Sequence, residues 1–318
     1  VTDVYASDIT NLISDGNNVV GIKDTADNLS SFLDFLTDPS ILTGITSVIV
    51  TDASTGMLSL SYEKFINSSN FTTTIFDQNT DLKLFINGVD YSNLSNLVSN
   101  NSNLDGVSIN ISVSDLLTNI VNIENDVVAG FVENINLTDT NPVLEISYDN
   151  LIQNVDILSA IVNDSYSKII TEVSIANVDF TINNYGPDKI TIIDSSSNIV
   201  SGLSDLFGYI GIIDSVSFTD SVPNLTTNSA DLISYFTIYS KVMSDFTLDV
   251  TDDFSYQFDA ANLDIFSKFE DKITYVGQKA ISVVDTAVNL SGMMNSASAL
   301  ALATIVEATG TALASDAD

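Results

Sequence analysis

From Ser108 to Val113 apolar and polar residues alternate, the period-two pattern of a half-buried strand. The period then changes. From Ile120 the apolar positions run Ile123, Val127, Val128 and Phe131, close to helical spacing, and Val132 to Leu137 alternates again before Thr138-Asp139. After a turn at Asn141-Pro142, Val143 to Tyr148 predicts another short strand. Leu151, Val155, Leu158 and Val162 then stripe a second helix, and Val173 to Ile182 alternates once more as a closing strand. The order predicted is β-α-β-β-α-β.

Residues 186–271 repeat that order: Lys189 to Ile193 is a strand, Ile199, Leu203, Leu206 and Phe207 stripe a helix, and Asp214 to Phe218 is a second strand. Leu232, Phe236, Tyr239 and Met243 stripe the next helix. The start of the chain matches through Leu29, Phe32, Leu33 and Leu36, then Ile45 to Val50 and Leu58 to Tyr62, whereas residues 71–105 read as irregular. Ala280 to Val284, a helix from Asn289 and a strand at Ala303 to Val306 begin a further unit. Residues 1–18, with Thr2-Asp3 and Val4-Tyr5-Ala6-Ser7, resemble the later half of one. The expected organisation is therefore an α/β (α+β) chain of tandem β-α-β-β-α-β modules in an elongated array: a partial module at 1–18, modules at 19–105, 106–185 and 186–271, and a partial module at 272–318. Periodicity alone leaves open whether each module closes on itself or joins a continuous solenoid, but about 85 residues can form a small core and most solenoid repeats are half that length, so separately folded, tightly abutting modules are expected.

Two markers keep step with this pattern. Asp-x-x-x-Asn followed by an apolar residue occurs at Asp24/Asn28, Asp115/Asn119, Asp194/Asn198 and Asp285/Asn289, with Asp-to-Asp spacings of 91, 79 and 91 residues. Thr-Asp closes a strand at Thr51-Asp52, Thr138-Asp139 and Thr219-Asp220, 24 to 28 residues after the first Asp. The first Asp of each motif is expected to be a helix N-cap, with one calcium ligand per module junction as the competing reading. Asn is a poor helix former, so its recurrence one turn in implies a side-chain hydrogen bond to a neighbouring loop. Asp52, Asp139 and Asp220 are expected to make Asx-turns.

Composition limits the chemistry. The 318 residues carry 42 acidic and nine basic side chains, all Lys, for a formal charge of −33, with no His, Cys or Trp. Imidazole or thiol catalysis, Ser-His nucleophiles and conventional zinc sites are thereby excluded. Such a surface repels phosphate backbones and anionic headgroups, so nucleic acid and membranes are not expected partners, whereas divalent cations are. No apolar run approaches the roughly 18 residues needed to cross a bilayer, so membrane insertion is not expected. The chain begins at Val1 with no charged start and apolar block, so any export signal is expected to be removed or absent from this end. No Gly-x-x-x-x-Gly-Lys loop or Gly-x-Gly-x-x-Gly fingerprint is present. Paired carboxylates formally permit glycoside hydrolysis, but the lack of Trp and the repetition of whole units argue against an enzyme.

The unit of strand, Asp-x-x-x-Asn, helix, and strand ending in Thr-Asp, followed by Leu58-Ser59-Leu60-Ser61-Tyr62, resembles the tandem repeats of very large bacterial exported proteins. Asp24-Thr25-Ala26 and Asp285-Thr286-Ala287 carry its Asp-Thr-Ala form, from which Leu116-Leu117-Thr118 and Ser195-Ser196-Ser197 depart. The resemblance covers roughly residues 19 to 318. It implies an extracellular or bacterial cell-surface location, a surface-layer, adhesin or filament role, and no catalytic residues. The expected partners are further copies in a head-to-tail homopolymer or neighbouring repeats of the same chain.

The densest acidic cluster, Asp249, Asp252, Asp253, Asp259 and Asp264, falls within 16 residues of a turn-rich stretch. It is the candidate calcium site, since calcium takes six to eight oxygens, although no Asp-x-Asp-x-Asp-Gly loop is present.

Overall fold

A computed structural model describes residues 1–16, 18–35, 39–163, 165–293 and 297–309. The chain is α/β, and every strand pairing with a defined register among the described residues is parallel. Parallel neighbours need a crossover long enough to return the chain to the same end, and the helices supply it. Residues fall into two compact units, 1–144 with 150–166, and 145–149 with 167–318.

In the first unit β1 (Gly21–Asp24) pairs with β2 (Ser47–Val50), and β3 (Met57–Ser61), β4 (Lys83–Asp90), β5 (Leu104–Ile111) and β6 (Val132–Leu137) form a four-stranded sheet in chain order. Single parallel bridges, Val4 to Ile22 and Ile135 to Ile161, extend the two sheets by one contact each. The core is mainly aliphatic: Leu29, Leu33, Val48, Leu58, Leu60, Ile86, Val107 and Ile109 are all buried.

β7 (Val143–Ser147) begins in the first unit and ends in the second. There it joins β8 (Ser167–Val173), β9 (Lys189–Asp194) and β10 (Ile213–Phe218) in a second four-stranded sheet. β11 (Asn224–Thr227), β12 (Thr247–Val250), β13 (Phe254–Phe258), β14 (Ile273–Tyr275), β15 (Lys279–Thr286) and β16 (Ile305–Thr309) are then divided between two sheets, ordered β11-β12-β14 and β13-β15-β16. Aromatic packing dominates this end: Phe266 lies 4.9 Å from Phe258 and 5.7 Å from Phe254, ring centre to ring centre, and Phe254, Phe258 and Phe266 are fully buried.

Strand and helix follow one another as β-α-β-β-α-β from β1 to β4, β5 to β8 and β9 to β12. The middle pair of strands in each case (β2 and β3, β6 and β7, β10 and β11) belongs to different sheets. Sheets therefore run across the expected module edges: position 105/106 falls inside β5, and 185/186 falls between the paired strands β8 and β9.

Three local expectations are corrected. Residues 71–105 are not irregular but hold the end of the Ser69–Gln78 helix, strand β4 and the Tyr91–Asn100 helix. The alternation of β4 is broken where its register with β5 shifts between Ile86 and Val89, at Gly88, whose φ of +71° a side chain would strain. Val173 to Ile182 is not a closing strand, because β8 ends at Val173 and the Val178–Tyr185 helix follows, stopped by left-handed Gly186. The stripe from Leu151 to Val162 is not one helix. It breaks at Asn154 and restarts where the buried Glu124 carboxylate accepts the Asp156 and Ile157 N–H groups, so Leu151, Ile157 and Ala160 face inward while Val155 and Val162 are exposed.

The remaining stripes hold in part. Leu29, Leu33, Ile199, Leu203, Leu206, Leu232, Phe236 and Tyr239 are buried on helices; Phe207 and Met243 are exposed, and Leu36 lies outside the described residues.

Side-chain amides cover some of the sheet edges. Gln78 Oε1 accepts the Val48 N–H, Asn79 Oδ1 accepts the Val50 N–H, and their amide groups donate to the Thr46 and Val48 carbonyls, a strand-like ladder against β2. Asn163 pairs in the same way with both backbone groups of Leu137 on β6, and Ser244 Oγ accepts the Phe218 N–H on β10. Such partners satisfy backbone groups that would otherwise invite another strand.

Candidate functional site

A recurring carboxylate bridge joins the carboxyl end of one strand to the start of the helical element that precedes it in the chain. The first N–H groups of a helix have no partner within it, and a carboxylate there also meets the positive end of the helix dipole. Among the described residues, in seven places the first residue of a helical element donates its N–H to an Asp 18 to 26 residues later: Ala6 to Asp24, Ala26 to Asp52, Val113 to Asp139, Ile175 to Asp194, Ser196 to Asp220, Ser229 to Asp252 and Ala260 to Asp285.

The Asp-x-x-x-Asn motif does a second job with the same residue. Asp24 Oδ1 accepts the Thr25 N–H at 2.9 Å and the Asn28 side-chain amide at 2.6 Å, while its Oδ2 accepts Ala6 N–H at 2.9 Å. Asp194 repeats this with Ser195, Asn198 and Ile175, and Asp285 with Thr286, Asn289 and Ala260. These Asp residues are thus not N-caps. The cap is the next residue: Thr25, Ser195 and Thr286 accept the N–H of Asn28, Asn198 and Asn289 through their hydroxyls. The Asn amides bind within their own motif rather than to a neighbouring loop.

Asp115 departs from the set. Ser112 is the cap there, accepting the Asp115 N–H and donating its hydroxyl to Asp115 Oδ2, so Asp115 stands where Asn28 and Asn198 stand and Ile111 occupies the Asp position. Asn119 donates only to the Asp115 backbone carbonyl. The motif is threefold, with one spurious match four residues out of register.

Asp52, Asp139 and Asp220 point their carboxylates back to the preceding helix, so an Asx-turn on the following residues is not their role. Asp252 belongs with them and was missed, although Thr251-Asp252 follows the apolar Leu248 and Val250 as the other Thr-Asp pairs follow their strands. Burial opposes the charge on Asp194, but hydrogen bonds from Asn198, Ile175 and Ser195 outweigh it and hold the carboxyl below its usual range. Asp285, through Ala260, Asn289 and Thr286, and Asp252 and Asp220, through Ser229 and Ser196, are lowered as well.

The five carboxylates of the candidate calcium site are engaged separately. Asp249 accepts from Asn224, Asp252 from Ser229, Asp253 from the Gln278 N–H and Asp259 from both nitrogens of Asn262, whereas Asp264 lies 3.7 Å from Lys268. Among the described residues no group of three or more carboxylates is placed to hold a metal ion.

Two cavities border the Tyr91–Asn100 helix, and the first of them also borders Ile111, where the bridge is missing. One, of about 530 Å³, is lined by Asp90, Tyr91, Asn110, Ile111, Ser112 and Asp115 among others. The other, of about 470 Å³, is a groove lined by Tyr91, Leu94, Ser95, Val98, Asp126 and Phe131, together with Ser92 and Ser99. No helix among the described residues is long and apolar enough to cross a membrane. No protein-family model, curated protein or solved structure matches the chain.

Proposed function

We propose that this chain is a non-enzymatic structural protein of the bacterial cell surface whose repeated units associate head to tail into a surface layer or filament. The observation that carries this reading is the use made of the acidic residues: the seven bridging carboxylates are committed to backbone N–H groups, where they hold successive strands and helices together. A carboxylate so occupied is not positioned as a general acid or base.

The contact we propose joins β16 of one copy to the N-terminal segment of another. All five residues of β16 are exposed, including Ile305 and Val306, and among the described residues it lies at the edge of its sheet. Val4 already makes a parallel bridge to Ile22, and the preceding Thr2-Asp3 repeats the Thr-Asp pair of the internal strands. The Asp3 side chain has no hydrogen-bond partner among the described residues. Such a contact is heterologous and generates an open filament. In a longer chain the same surfaces would meet between neighbouring repeats, which is the alternative reading as a spacer or ligand-binding segment of a giant adhesin.

Calcium enters this proposal through charge: at −33 the folded chain repels itself, and divalent ions between surface carboxylates relieve that repulsion. Sedimentation velocity over a concentration series, with negative-stain microscopy, tests the assembly. We expect concentration-dependent filaments that are lost when residues 1–15 are deleted from a chain that still folds. A monomer at every concentration would favour the adhesin segment, and filaments formed by the truncated chain would overturn the proposed contact.

A further inference from the structure

We propose that the groove between the Tyr91–Asn100 and Ile120–Val128 helices binds an organic ammonium group, with the Asp126 carboxylate as counter-ion and the Tyr91 and Phe131 rings against the cation's apolar substituents. Unlike the bridging carboxylates, Asp126 has no hydrogen bond or ion pair from its side chain among the described residues. It is nevertheless partly buried, and burial pushes its carboxyl above the usual range. Tyr91 and Asp126 line the same cavity; burial also raises the Tyr91 hydroxyl, and the Asp126 charge adds to that.

The lining selects among ligands by its chemistry. It contains no Lys, and the chain as a whole carries −33, so an anion is repelled. A bare divalent ion is poorly served by one carboxylate, because calcium takes six to eight oxygens. An alkylammonium or quaternary ammonium matches every part. Its charge meets Asp126, its methyl or methylene groups meet Leu94 and Val98, and aromatic faces attract it through their quadrupole. Phe131, an aromatic side chain of the lining that is 37% exposed, acquires a reason to be there. A volume of about 470 Å³ is within the range of small-ligand sites.

The test uses the whole chain and choline, with its neutral isostere 3,3-dimethylbutanol and sodium chloride at equal ionic strength as controls, followed by amide NMR. We expect saturable shifts confined to residues around Tyr91, Ser95, Asp126 and Phe131 with choline alone. Asp126→Asn, nearly isosteric and in a partly exposed position, should weaken binding about tenfold or more, and Phe131→Leu should weaken it several-fold. Both variants are checked for an otherwise unchanged spectrum. Equal shifts with sodium chloride would reduce the effect to screening, equal saturation by the neutral isostere would assign the groove to neutral ligands, and unchanged affinity in Asp126→Asn would remove the counter-ion; each result overturns the proposal.

Discussion

The junctions at Asp194 and Ile111 share several backbone contacts and differ at the residue that ends the strand, Asp in one and Ile in the other. In both, the Thr that follows the neighbouring parallel strand donates its N–H to the last carbonyl of the strand, Thr219 to Asp194 at 2.9 Å and Thr138 to Ile111 at 3.0 Å. In both, a Ser caps the next helix and the following Thr-Asp carboxylate takes the first helical N–H. Only Asp194 also reaches back to the preceding helical element, at Ile175; Ile111 is instead buried in the core at 4% exposure. The strand-to-helix turn therefore does not need the backward bridge. Asp at this position exchanges apolar burial for three hydrogen bonds, and the fold accepts either.

Variants can break this equivalence from both sides. Ile111→Ala removes buried methyl groups beside an existing cavity and should cost about 3 kcal/mol, read as a fall in denaturant midpoint at unchanged slope. At the Asp position the most buried example is Asp24, at 4% exposure, and Asp24→Ala leaves the N–H groups of Ala6 and Thr25 and the Asn28 amide without their acceptor. A loss of about 2 to 3 kcal/mol is expected there. Were Asp24→Ala neutral while Ile111→Ala remained costly, the bridge would be an ornament on an apolar scaffold.

Acid sharpens the comparison at lower cost. Asp194, Asp220, Asp252 and Asp285 have folded pKa values below the ordinary carboxylate value of about 3.9. Their contribution is thus fully present above that value and is lost as the pH falls below about 4 through the lowered values. Asp194→Asn should lower stability at neutral pH by about 1 kcal/mol and shallow the acid limb of the stability curve, whereas Ile111→Ala should shift the curve without changing its acid slope. An acid limb of equal steepness in Asp194→Asn and the parent would contradict the assignment.

The smallest expected effect is that of calcium. Millimolar calcium should raise the melting temperature a little more than sodium chloride at matched ionic strength, by a few tenths of a kcal/mol in stability. Equal shifts would mean screening alone.

How far the sequence revealed this follows from the range of each signal. Strands such as β6, β9 and β10 were legible because alternation is a local property, and so were the buried faces through Leu29, Ile199 and Leu232. β4 was not, since its register shift at Gly88 breaks the period, and the helix restart at Asp156 depends on Glu124, 32 residues earlier. The Asp-x-x-x-Asn motif was visible as recurrence but not as chemistry. Whether an Asp caps its own helix or an earlier one depends on which parallel strand lies beside it, so Asp115 looked equivalent to Asp194 while Asp252 was grouped with its sequence neighbours rather than with Asp52 and Asp220.

The central claim is that strand-end carboxylates hold the first N–H groups of preceding helical elements. Amide hydrogen exchange at Ile175, compared between the parent chain and Asp194→Asn under conditions where both remain folded, tests it most directly. The account predicts that Ile175 is protected in the parent and loses about tenfold or more of that protection in the variant, while Val178, on the helix beyond the bridge, changes little. Fast exchange at Ile175 in the parent, or equal protection in both chains, would contradict it.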